Sequence, residues 1–450
     1  MELKKLSIRL LAEAVDELEG GFARLPPVSQ EVPNAGQMEQ VLAETARRMH
    51  DNYPYFHPLY AGQMLKPPHP IARAAYAMAT WINPNNHALD GGRASSAMEK
   101  EAVAELAAMF GWQSHLGHLT GGGTIANLEA LWVAGQLHPG KAILASSQSH
   151  YTHERISGVL KFPFDKVPTD ENGRMDIAAL ESRLQRGDVG CVVATLGTTG
   201  FGAVDPLPEI VRLREKYGFR IHADCAYGGY FTLADNLAAP ARKACDALPQ
   251  VDSIVVDPHK HGLQPYGCGC ILFRDPAVGK LYRHESPYTY FSSSELHLGE
   301  ISLECSRAGA SAVALWATQR LLPLVNGGEF AAGLSASRRA ALAFGGHLRD
   351  HPHFRLALEP ELDIVVWAVR AETASLASQL AQRVFDEAAG NDLHLALVHV
   401  PASLFPDVTA DQPTILCLRS VLMKPEHEAW LPEITARLSK AFEGANKPLQ

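Results

Sequence analysis

Very little in this sequence would tie it to a membrane, to nucleic acid or to an oxidising compartment. No run approaches the ~18 consecutive apolar residues that a membrane-spanning helix needs. Lysine and arginine number 40 against 49 acidic residues, for a formal net charge of −9. No dense basic cluster and no basic amphipathic helix interrupts that balance, so neither nucleic acid nor a membrane surface is an expected partner. The seven cysteines are odd in number and lack framework spacing, which suits a reducing cytosol better than a disulfide scaffold. Cys268-Gly-Cys270 has no second pair and no histidine at zinc spacing. It reads as strand packing, and no metal site is expected. Residues 1–15 are patterned as an amphipathic helix. They lack the uninterrupted apolar core and small-residue cleavage site of a secretion signal, so a cytoplasmic location is expected. Internal repeats and low-complexity segments are also missing.

What the chain does contain is ordinary globular material at generous length: 450 residues, 46% hydrophobic and 20% charged, enough for a large core and two to three domains. Residues 1–60 hold helical patterning and a proline-rich connection. Residues 61–320 alternate helical runs with short β-branched runs. Strands are expected over 141–145, 190–196, 219–224 and 253–257. The run 208–217, apolar at helical spacing, is typical of the segments between them. Such alternation argues for a mainly parallel sheet covered on both faces. Residues 268–273 follow a strand after a short link and are expected to run antiparallel, because a parallel return needs a longer crossover. From 321 to 450 the pattern becomes a smaller α+β domain: a long helix, a strand at 362–369, a helix at 374–389, strands at 393–400 and 413–422, and a final helix at 425–442. Sites are expected at the carboxyl ends of the parallel strands.

Five segments at those strand ends and helix starts carry chemistry. Ser253-Ile-Val-Val-Asp257-Pro258-His259-Lys260 is an apolar run that stops at a lysine. Desolvation of an amine there depresses its pKa and makes it a nucleophile toward an aldehyde. Thr120-Gly121-Gly122-Gly123-Thr124 opens a helix. Glycines admit close backbone approach, and the helix N-terminus offers N–H groups to a phosphate. The loop lacks both the lysine of a Walker loop and dinucleotide-fold spacing. Asp224 ends the run His222-Ala223-Asp224, where a carboxylate can pair with a pyridinium nitrogen. His150, just past 141–145, can stack on a flat ring. Thr199, in Gly197-Thr198-Thr199-Gly200, ends the next strand with a hydroxyl.

The order of these segments, with His222-Ala-Asp224-Cys-Ala226-Tyr227 and Asp257-Pro-His259-Lys260, resembles the fold-type I pyridoxal-phosphate enzymes. In particular it resembles the group II amino-acid decarboxylases acting on aromatic amino acids, glutamate, aspartate and tyrosine. The resemblance implies an α/β fold with a mainly parallel seven-stranded large domain and a small α+β C-terminal domain. It implies pyridoxal 5'-phosphate as cofactor, an amino-acid substrate and a homodimer. By position it implies Lys260 as the cofactor's Schiff-base lysine and Asp224 at the pyridinium nitrogen. Ala226 and His150 would lie on the two ring faces, with Thr199 near a ring substituent. Gly123 and Thr124 would bind phosphate, and His259 phosphate or substrate. Tyr290, or its neighbour Tyr288, would be the loop tyrosine that returns a proton to the substrate carbon. Tyr55, Phe56 and His57 would line the substrate pocket, and Arg307 would lie near the site and dimer interface.

The implied activity is decarboxylation of an aromatic or acidic L-amino acid to an amine. Alternatives within the fold are a carbon–carbon lyase of the sphingosine-phosphate-lyase type and a decarboxylation-dependent oxidative deaminase. A non-catalytic binding protein on this fold is a further alternative, disfavoured by Lys260, Asp224 and His150 together. His261-Gly262 stands where aromatic decarboxylases often carry tryptophan, which leans toward the archaeal or lyase-like branch. The N-terminal region is short against the animal enzymes.

Overall fold

The structure, a computed structural model, describes residues 2–28, 34–283 and 296–447. Two helices, α1 (Glu2–Gly20) and α2 (Ala35–Met49), precede α3 (Pro70–Ala79) and α4 (Leu89–Met109). The first sheet contains β1 (Leu116–Thr120), β2 (Ala142–Ser146), β3 (Phe164–Val167), β4 (Val189–Thr195), β5 (Arg220–Asp224), β6 (Ser253–Val256) and β7 (Gly269–Phe273). The helices threaded between them are α5 (Gly123–Leu137), α6 (Thr152–Leu160), α7 (Ile177–Leu184), α8 (Leu207–Tyr217) and α9 (Ala239–Asp246). Next come α10 (Gly309–Leu321) and α11 (Glu329–Asp350). They are followed by β8 (Phe354–Leu356), β9 (Ile364–Val369), α12 (Ala374–Gly390), β10 (Ala396–Pro401), β11 (Thr414–Val421) and α13 (His427–Ala445).

The seven strands of the first sheet lie in the order β1-β7-β6-β5-β4-β2-β3. Pairings among β3, β2, β4, β5 and β6 are parallel, and β7 is antiparallel to both β6 and β1. Six strands therefore point the same way, and one edge of the sheet collects the loops that follow β1, β2, β4, β5 and β6. β4, β6 and β7 are buried along their whole length, as expected for strands covered by helices on both faces. The short link before β7 does make it antiparallel. The second sheet, β10-β11-β9-β8, is wholly antiparallel. Trp367 on β9 is packed edge-on against Phe344 of α11, with ring centroids 5.2 Å apart.

Three strands fall outside the sequence expectation. β1 reads Leu-Gly-His-Leu-Thr, where glycine and histidine break the β-branched signal. β3 is a four-residue edge strand with two exposed positions, and β8 has only three residues. All seven cysteines are free, and six are buried, Cys268 and Cys270 among them. Among the described residues no helix is long and apolar enough to cross a membrane.

The sheet is also held by neutral buried histidine. On β5, His222 donates from Nε2 to Asn127 Oδ1 at 2.7 Å, and its Nδ1 lies 2.9 Å from the Ser253 hydroxyl. Burial, reinforced by His153, pushes the His222 imidazole down to about 3. Below the usual histidine range the unfolded chain then binds a proton that the folded chain refuses. Stability is full above about pH 6.5 and falls as pH drops from there toward 3. Between pH 7 and about pH 5 this residue alone should cost about 2 kcal/mol. Urea titrations at the two pH values check this: His222→Gln should flatten the difference, and an unaltered slope would assign it elsewhere.

Candidate active site

The loops after β1, β2, β4, β5 and β6 enclose a cavity of about 320 Å³. It brings together Gly123, Thr124, His150, Thr199, Asp224, Ala226, His259 and Lys260, eight residues singled out in the sequence. Asp257, Asn127 and Tyr227 line it as well.

After β6 the chain turns at once. The Lys260 N–H donates to the Asp257 carbonyl at 2.9 Å, so side chains three apart share one side of the turn. The Lys260 ammonium sits 3.0 Å from Asp257 Oδ2. His259 is pinned beside it: its backbone N–H donates to the Cys268 carbonyl at 3.1 Å, and its Nδ1 lies 2.8 Å from the same oxygen. Its ring packs on Tyr266, centroids 4.7 Å apart, and burial pushes its pKa down. Asp257 is buried, and its Oδ1 has no hydrogen-bond partner.

Asp224, at the end of β5, is more completely held. Its Oδ1 accepts from the Ala226 N–H at 3.1 Å. Its Oδ2 accepts from His153 Nε2 at 2.8 Å and from Asn127 Nδ2 at 3.5 Å. Burial would raise this carboxyl, but the His153 hydrogen bond and the positive charges of its surroundings outweigh it and hold the group well below the usual carboxylate range. Asp224 is therefore a fixed anion. His150 is a neutral counterpart: burial lowers its pKa. Its Nδ1 lies 2.7 Å from the Thr152 hydroxyl and accepts from the Thr152 N–H at 3.3 Å.

The glycine loop meets the cavity at the start of α5, where no side chain caps the helix. Gly122 has φ +149, a conformation side chains rarely adopt. A Cβ on Gly123 would stand 2.7 Å from Asp257 Oδ2. The backbone thus comes as near the lysine–aspartate pair as a glycine permits, with a positive helix end aimed into the cavity. Opposite, Arg419 of β11 donates to the carbonyls of Thr199 at 2.7 Å and Gly200 at 3.2 Å, fixing the corner after β4.

Other expectations are not met at this cavity. Arg307 lies outside it. Its guanidinium donates to Glu99 Oε1 at 2.9 Å and to the carbonyls of Leu119 and Asn86. Those bonds commit it to joining α4 with β1. Tyr55, Phe56 and His57 do not line it within this chain either. Tyr55 packs edge-on against Tyr60 at 4.9 Å, and His57 against Trp430 at 4.7 Å. Phe56 is 72% exposed, on the wall of a second cavity. Here the proline-rich segment packs its rings against one another and on α13. Tyr288 and Tyr290 lie outside the described residues.

A mainly parallel seven-stranded sheet, whose strand ends close around a lysine, a buried aspartate and an uncapped glycine-rich helix start, defines a fold-type I pyridoxal-phosphate enzyme. Residues 28–370 match the pyridoxal-dependent decarboxylase conserved domain, and the chain belongs to that family of carboxy-lyases. It is 28% identical over 468 residues to an L-tyrosine decarboxylase of Enterococcus faecium, covering 79% of this chain and 76% of the relative. It is 33% identical over 260 residues to a probable L-aspartate decarboxylase of Halobacterium salinarum, covering 56% and 70%. Among solved structures, mouse CSAD superposes with a TM-score of 0.80 at 20% identity, covering 98% of this chain and 99% of that one.

The residues present fit this cofactor. The uncapped helix suits a phosphate, Ala226 leaves room for a flat ring, and the pre-ionised Asp224 suits a protonated ring nitrogen. Three contributors escaped the sequence reading. Asp257 was visible in the motif itself. His153 follows His150 by three residues. Arg419 is a charge within an apolar strand, a signal worth following wherever it occurs.

Proposed function

We propose that the cavity carries out α-decarboxylation of an L-amino acid, releasing the amine and carbon dioxide. The observation that carries this reading is the doubly held Asp224 carboxylate facing the same cavity as the Lys260 ammonium. Bound there, pyridoxal phosphate supplies an electron sink for the bond that breaks. The start of α5, with Gly123, Thr124 and His259, would hold its phosphate. Asp224 would keep the ring nitrogen protonated, with Ala226 against one face and His150 against the other. Thr199, positioned by Arg419, would lie at the ring's edge. Lys260 would hold the aldehyde before the reaction and recapture it afterwards. Asp257, 3.0 Å away, would position the Lys260 side chain in the cavity. Neutral His150 could return a proton to the substrate carbon. Tyr290 or Tyr288 shares that proposal from the sequence.

An aromatic or acidic amino acid is the substrate class we infer, because the relatives named above divide between tyrosine and aspartate. Assay of amine and carbon dioxide across the twenty amino acids tests it. Amine and carbon dioxide in equal amounts from tyrosine or aspartate is the expected result. Aldehyde without carbon dioxide would favour a carbon–carbon lyase, and peroxide an oxidative deaminase.

We also infer a homodimer. α2 buries none of its residues in the single chain. Met38, Val41, Leu42 and Met49, at helical spacing, are all more than half exposed. A stripe of that kind calls for a covering surface. Light scattering should give twice the chain mass, and Val41→Glu with Leu42→Glu should lower it.

A further inference from the structure

A second cavity, of about 530 Å³, lies on the other side of the loop that follows Lys260, between α3, α11 and the start of α13. Its wall carries two lysines from distant parts of the chain. Lys66 Nζ donates to the carbonyl of Met423 at 3.2 Å, and Lys424, the next residue, donates to the carbonyl of Tyr60 at 2.6 Å. The Lys424 ammonium also stands 5.2 Å from the Tyr60 ring. Lys424 is only 4% exposed. Among the described residues, neither ammonium has a carboxylate within ion-pairing distance. Glu329 and Glu426 stand on the same wall but pair with neither.

Two buried like charges with only carbonyl partners are costly to the fold. Burial depresses both groups: Lys66 to about 8, against the pull of the Asp363 and Glu426 charges, and Lys424 to about 7, with the Lys66 charge pressing the same way against Glu426. His261 adds an independent sign. It lines this cavity and is 1% exposed; its Nε2 stands 3.2 Å from Asp363 Oδ2, while its Nδ1 has no hydrogen-bond partner. The wall also carries an apolar stretch, Leu263, Phe330 and Leu334, beside the polar His69, Arg73 and Ser337.

We propose that this cavity binds a small organic anion, a carboxylate or a phosphate ester bearing an apolar group, with Lys66 and Lys424 on its charge and Phe330 and Leu334 on its apolar part. The site is separate from the cofactor cavity, and its volume lies within the range of small-molecule sites. Occupation would place a negative charge beside the lysine pair. The proposal does not depend on which amino acid the enzyme decarboxylates.

The test uses holoenzyme dialysed free of excess cofactor, in a chloride buffer, titrated calorimetrically with phenyl phosphate in one arm and 3-phenylpropionate in the other. Saturable binding is expected in at least one arm, without change in the cofactor's visible spectrum. It should weaken about tenfold or more in both Lys66→Met and Lys424→Met. The arm that binds says whether the natural anion is a phosphate or a carboxylate. No saturable binding in either arm, or equal binding in both variants, would overturn the proposal. If either variant fails to fold, wild-type enzyme is acetylated at mildly alkaline pH and the modified peptides are read by mass spectrometry. The bound probe should protect Lys66 and Lys424 several-fold relative to exposed lysines, and equal labelling with and without probe would sink the site.

Discussion

Lys260→Ala should abolish turnover, with kcat falling on the order of 10⁵-fold, equivalent to about 7 kcal/mol of transition-state stabilisation. The expectation rests on position. Lys260 is the amine at the end of β6 inside the cofactor cavity, and its nearest charged neighbour, Asp257 at 3.0 Å, cannot act as a nucleophilic amine in its place. The folded structure should survive. The side chain is partly exposed to the cavity, so its loss creates little void. Two measurements separate the outcomes. Steady-state assay should show the loss of rate, and the visible absorbance of lysine-bound cofactor should vanish although dialysis still detects cofactor held through the phosphate cradle. A variant that retained both absorbance and turnover would remove Lys260 from the reaction.

Asp224→Asn should lower kcat by about 10² to 10³-fold, or roughly 3 to 4 kcal/mol. The amide is nearly isosteric, but its single oxygen can accept from the Ala226 N–H or from His153 and not from both, since the two donors meet different oxygens of the carboxylate. What it cannot do is hold a proton on a ring nitrogen by charge. The contrast with Asp224→Ala is informative. Alanine would leave His153 and the Ala226 N–H without an acceptor inside the protein, at about 1 to 3 kcal/mol for each buried group. The two variants should therefore lose rate to a similar degree, while alanine, which leaves both donors without an acceptor, shifts the urea midpoint further than asparagine, which leaves one. If Asp224→Asn kept activity within tenfold of wild type, the carboxylate would be structural.

The parts of this molecule that could be read in advance were those written locally. β2, β4, β5 and β6 are short, almost wholly buried runs, each ending in or just before a polar residue, and the side chains at those ends meet because parallel strands deliver their carboxyl ends to one edge. β1, β3 and β8 were hidden because their residues are weak strand formers held by neighbours. Paired with β7 across the sheet, β1 needs no propensity of its own. The same distinction runs through the site. Lys260, Asp224, His150 and Thr199 sit at strand ends, whereas the bonds that hold Asp224 and Thr199 span 71 residues to His153 and 220 to Arg419. No local pattern encodes such a bond. Arg307 shows the same limit: within this chain its guanidinium donates to Glu99 and to the carbonyls of Leu119 and Asn86, partners far from it in sequence.

Arg419 gives the cavity rim two owners. Its backbone belongs to the second sheet, and its guanidinium carries the carbonyls of Thr199 and Gly200 on the first. A fragment ending before the second sheet would leave those carbonyls unsupported, so the cofactor cavity is not a transplantable module. Chimeras that exchange the C-terminal third with a relative should keep activity only when Arg419 and the Thr199–Gly200 corner travel as a matched pair.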